Sequence, residues 1–143
     1  MENGDLLLEI GEKELDLLRR FSRVLKDERD AIISFSLEGI IRENNRKEEI
    51  LKKLEYLEGE KDALLAAIPD VSAITKGAAW ERLSGKMEQT TIEVRTALKR
   101  NMSLLSFSVD HVKSSIEKIV HFISNTGYGK KRERISFLLS REV

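Results

Sequence analysis

A single proline, Pro69, interrupts a chain of 143 residues. Proline is the residue that helices tolerate least in their interior, so two long tracts are left with nothing to stop helical winding. From Asp5 to Ile68 apolar side chains recur at spacings of three and four. They run Leu7, Ile10, Leu17, Phe21 and Val24, then after a shift Ile33, Leu37 and Ile40, then Ile50, Leu54, Leu57, Leu64 and Ile68. That is the period of a helix with one buried stripe, and it excludes strand alternation. An unbroken helix over 5–68 would be roughly 90 Å long. A bend or break is expected between Gly39, close to the phase shift, and Asn45. Glu14, Glu28, Asn44, Lys47 and Lys61 fall on or beside the stripe. Polar groups there cost stability but can fix register.

Pro69-Asp70 ends this tract, because proline disfavours helical geometry at the residue before it. Residues 69–85 read as a loop with short helical turns, holding Trp80 as a core plug. A second long helix is expected over 86–124. Its heptad is the cleanest in the chain: Met102, Leu105, Val109, Val112, Ile116, Ile119 and Ile123 alternate steps of three and four. Asn125-Thr126-Gly127 is a helix stop, and a flexible segment over 125–143 follows. Two stripes joined by a short connection bury each other most simply as antiparallel neighbours. The fold expected is all-α, a long antiparallel helical hairpin or coiled-coil-like bundle of three to four helices, in a single domain over 1–143.

Composition narrows the function. There is no cysteine, hence no disulfide framework, thiol nucleophile or thiolate metal site. The longest apolar run, Ala63 to Ile68, is too short to span a bilayer, so no membrane insertion is expected. The acidic start Met1-Glu2-Asn3-Gly4-Asp5 is unlike the basic start of a signal peptide. The 25 basic and 25 acidic side chains balance, which argues against a general nucleic-acid binder. The balance conceals an asymmetry: residues 1–68 hold 17 acidic and 12 basic groups, and residues 69–143 hold 8 and 13. Either the halves pair with each other, or the basic end awaits an acidic partner.

No catalytic constellation is visible. His111 and His121 lack the i, i+4 spacing that shares a metal, so neither a metal nor another cofactor is expected. Asp110-His111 among Ser106, Ser108, Ser114 and Ser115 offers no nucleophile elbow and no oxyanion hole. Gly127-Tyr128-Gly129-Lys130-Lys131 lacks phosphate-loop spacing and follows a helix rather than a strand. The apolar residues Ile135, Phe137, Leu138 and Leu139 near the chain end either dock back or serve a partner. From the residues alone the chain is a non-enzymatic helical interaction protein.

The order of certain residues adds to this. Glu28, Lys47 with Ile50-Leu51, Leu54-Glu55-x-Leu57 and Leu64-Leu65 in the first half precede Asn101-x-x-Leu104-Leu105 and Tyr128-Gly129 in the second. In this the chain resembles the FlgN family of flagellar export chaperones, over most of its length. The resemblance implies a cytoplasmic protein that binds the C-terminal helices of hook–filament junction proteins, prevents premature assembly and delivers them to the flagellar type III export gate. It places substrate binding in the C-terminal region, where Phe107, Phe122, Ile123, Ile135, Phe137 and Leu138 would supply contacts, and export-gate docking at Tyr128. A weak homodimer is compatible with this. The alternative is a homo-oligomeric coiled-coil scaffold or tether.

Overall fold

In the computed structural model, which describes residues 3–125, the chain forms helices α1 (Asn3–Ile33), α2 (Leu37–Ala67), the one-turn α3 (Ser72–Thr75) and α4 (Ala78–Asn125). The fold is all-α, with no strand among the described residues. Contacts divide the chain into two compact units, residues 1–104 and 105–143. The first is a bundle of α1, α2 and the N-terminal part of α4. Of the second, residues 105–125 are described.

The break in the first tract falls at Ser34–Ser36, ahead of the 39–45 stretch where it was expected. The hydrogen bonds explain the position. Ser36 N–H donates to Ala31 O and Phe35 N–H to Ile32 O, the paired bonds that close a helix with one residue in the left-handed region. That residue is Phe35, at φ 55°. A side chain there costs about 1–2 kcal/mol that glycine would not. Ser36 then caps α2, its hydroxyl accepting from Gly39 N–H at 3.1 Å. Gly39 is needed for closeness, not for bending. A Cβ there would lie 2.9 Å from the Cβ of Ala31. Ile33 and Leu37, placed on the stripe by their spacing, instead sit exposed around this turn.

α1 and α2 run antiparallel, and the polar residues on the stripe set their register. Glu14 pairs with Lys61 at 3.3 Å, and Glu28 pairs with Lys47. Fourteen residues forward on α1 match fourteen back on α2, two heptads in each case. A slip of one heptad either way would set Glu14 opposite Leu54 or Ile68, and Glu28 opposite Ile40 or Leu54. Each slip strands two carboxylates against hydrocarbon, and an unpaired buried charge costs several kcal/mol. Glu43, 1% exposed, is held by Arg42 and Arg46.

α4 enters parallel to α1. Leu83 packs where a Cβ on Gly11 would stand, and eighteen residues later Asn101 Nδ2 donates to Leu25 O at 2.8 Å and to Glu28 Oε1 at 3.0 Å. The core shared by the three helices holds Ile10, Leu17, Phe21, Val24, Leu25, Ile50, Leu57 and Val94. α4 begins eight residues before the expected 86, because Pro69 ends α2 and Asp70, accepting from Ser72 N–H, starts α3 at once. Trp80 therefore lies half-buried on a helix rather than in a loop. Every ion pair among the described residues lies within residues 1–68. The acidic and basic halves do not pair with each other there.

Candidate partner-binding surface

Residues 105–125 contain no glycine or proline, so nothing interrupts α4 across them. Their serines, which otherwise compete with the helical backbone, are partly absorbed by it. Ser115 Oγ donates to His111 O at 3.0 Å and Ser124 Oγ to Val120 O at 2.9 Å, each one turn back. Such bonds satisfy the hydroxyls locally and leave the surface around them less polar than the sequence suggests.

On this scaffold the clean heptad stands in water. Leu105, Val109, Val112 and Ile119 are 42%, 59%, 46% and 58% exposed, and Ile116 lies between them on the same line. At about 100° per residue these five side chains fall within roughly 80° of arc. A row of β-branched residues and leucine in one stripe is what a helix presents to another helix. Exposed, it is a surface that lacks its complement.

Of the six residues expected to bind substrate, the three that are described do not share one face of α4. Phe107 and Phe122 are 70% and 68% exposed. Phe107 points about 160° and Phe122 about 100° from the centre of the stripe that Ile123 continues. Ile123 is half-buried. Phe107 stacks on the ring of His111, centroids 6.4 Å apart. Ile135, Phe137, Leu138 and Tyr128 lie outside the described residues. Leu105, Val109, Val112, Ile116 and Ile119, whose spacing reads as core, stand exposed instead.

Chemistry of other kinds finds no seat here. Among the described residues no cluster of three or more His, Asp or Glu could hold a metal ion. His121 Nε2 lies 3.1 Å from Asn125 Nδ2 on the next turn. The groove between α1 and α2, about 770 Å³, is floored by Leu17 and Leu57, both already buried, and walled by charged side chains. At its edge Glu14, Lys61 and Glu58 form a small network. Burial pushes the Glu14 carboxyl up, against the pull of Lys61. The hydrogen bond from Lys61 holds Glu58 down. Lys61 loses by burial but is raised on balance by Glu58 and Glu14. This is structural pairing with no substrate cavity attached.

Among the described residues the fold is a helical bundle, and residues 105–119 of α4 carry an exposed aliphatic face. Residues 1–134 match the family described as FlgN protein, and the chain belongs to that family of flagellar export chaperones. No curated protein and no solved structure matches the chain. The family is one of chaperones, not enzymes, and no described helix is long and apolar enough to cross a membrane.

Proposed function

We propose that the protein is a non-enzymatic cytoplasmic chaperone that binds the C-terminal helices of flagellar hook–filament junction proteins. It keeps them from assembling prematurely and delivers them to the type III export gate. The observation that carries this reading is the exposed heptad of residues 105–119. A client helix laid along it completes an antiparallel or parallel helix pair, the helix-in-groove mode of recognition. Family membership supports a flagellar client, and the stripe offers a surface of the right chemistry. Phe107, Phe122 and Ile123, with Ile135, Phe137 and Leu138 further on, contribute contacts. Tyr128 engages the gate.

The test is calorimetric titration of the full chain with the C-terminal helical segment of a junction subunit. Binding at micromolar concentration or tighter is expected, abolished by Val112→Asp and retained by substitutions on the α1–α2 surface such as Lys52→Ala. Absence of binding by the unsubstituted chain defeats the reading. Sedimentation separates it from a homo-oligomeric scaffold, which would show a stable elongated oligomer without any client.

A further inference from the structure

We infer that the groove between α1 and the N-terminal part of α4 is a docking surface for a second protein partner, an amphipathic helix edged with carboxylates. The groove has a volume of about 470 Å³ and is lined by the buried Leu25, the half-buried Ala97 and the exposed Ile92. Lys26, Arg29 and Arg100 also line it, with Glu93 as the one acid. Among the described residues only α1 and α2 approach closely along their length, so this second groove stays open. Every residue named precedes residue 105, within the first compact unit, and the inference does not rest on the chaperone reading.

The charges differ from those on the rest of α1. On its far flank Lys13 and Arg20 each hold a carboxylate one turn back, Glu9 and Asp16. Lys26, Arg29 and Arg100 have no ion pair among the described residues. For Arg29 and Arg100 no local pair is available, because no acidic residue stands three or four positions from either on its own helix. Lys26 and Arg29, three apart, repel each other with no return to the fold. This excess of cations arises where composition opposes it, since residues 1–68 hold 17 acidic and 12 basic groups. A cleft walled by one sign of charge above hydrocarbon concentrates its field on an opposite charge.

The same lining selects the kind of partner. It offers no aromatic ring on which a nucleic-acid base could stack. Leu25, Ala97 and Ile92 instead suit aliphatic side chains, and the three cations suit Asp or Glu beside them. A helix with an apolar stripe and acidic edges meets both demands in the helix-in-groove mode.

The full chain is titrated with a synthetic helix of about five turns, leucine on one face and glutamate on both edges. A second titration uses the same helix with lysine in place of glutamate. Only the acidic helix is expected to bind, about tenfold more weakly at 500 than at 50 mM salt. Arg29→Glu combined with Arg100→Glu is expected to weaken it about tenfold, and Ile92→Ser about threefold. Lys52→Glu, the same charge change on exposed α2 surface, is expected to stay within about twofold. All these positions are exposed, so melting temperatures and circular dichroism are expected to hold. The inference fails if the acidic helix does not bind, if the lysine helix binds as tightly, or if the double variant keeps parental affinity. It also fails if polyuridylate binds more tightly than the acidic helix and is lost in the same variant, which would make the partner a nucleic acid. The double variant is expected to bind the junction-subunit segment within about twofold of the parent. An equal loss there would make the groove part of the client site and overturn a second partner. Absence of client binding by the parent chain defeats the chaperone reading alone, and the acidic helix then decides this one.

Discussion

α4 carries two seams, and they have opposite character. Over residues 83–101 the buried positions are Leu83, Thr90, Val94 and Asn101, two of them polar. Over residues 105–119 every seam position is aliphatic, and every one is exposed. The seam that looks poorer is the one the fold uses. Its polar members are bonded, Asn101 to Leu25 and Glu28, and they specify where α4 sits on α1. The seam that looks better is unspent. In this chain the polar keys fix where α4 packs, and the run of aliphatics without keys is left exposed.

The strongest way to break the comparison is to remove a key. Glu28→Leu leaves Lys47 buried without its carboxylate and Asn101 without one acceptor. It is expected to cost about 3–5 kcal/mol in denaturant unfolding, the usual penalty for orphaning half of a buried pair. A loss below 1 kcal/mol would show that the pair contributes nothing to the fold. The two valines sharpen the contrast directly. Val94→Ala, in the core, is expected to lose about 1–2.5 kcal/mol, whereas Val112→Ala is expected to stay within about 0.5 kcal/mol. Equal losses would mean that both seams are buried in solution.

The sequence carried more of the fold than of the surface. The helical class and the stripe from Leu7 to Val24 follow from spacing, because burial on one face leaves a period of three to four, whereas the antiparallel hairpin expected across Pro69 is formed instead by α1 and α2, both before it. Glu14, Glu28, Lys47 and Lys61 were visible as offenders on the stripe but not as partners, since pairing needs the register, and the register needs the turn. The turn was hidden because no glycine or proline marks it. Phe35 holds the left-handed position, and Ile33 and Leu37 on either side read as continuing apolar pattern. The exposed stripe of α4 was legible residue by residue, yet periodicity is silent on whether a seam is filled. That is why Phe107 and Phe122 were singled out and Val109 and Val112 were not.

Two smaller effects refine the same contrast. Phe35→Gly relieves the positive φ at the α1–α2 turn and is expected to stabilise the first unit by about 1 kcal/mol, read as a rise in the midpoint of thermal unfolding. A fall would show that the exposed ring is packed in solution. The smallest effect is a dependence on pH. Because the folded Glu14 carboxyl is raised above its ordinary value by burial, the folded state holds that proton more tightly than the unfolded one. Its contribution is present below the ordinary carboxylate range and is lost as pH rises through the raised value. Glu14→Gln, which leaves Lys61 with Glu58, is therefore expected to gain stability relative to the parent between acidic and neutral pH. A constant difference across that range would show that Glu14 is not desolvated.

The three-residue turn at Ser34–Ser36 also bears on the order in which the chain acquires structure. α1 and α2 meet through contacts that begin only a few residues apart in sequence and spread outward from the turn, the kind of local topology that forms fastest. Both partners of both buried ion pairs lie before Pro69, so a ribosome has delivered the whole hairpin, register keys included, before it begins α4. Asn101 then meets a Glu28 already positioned to accept it. The hairpin is thus complete in the chain before the helix that packs on it is made.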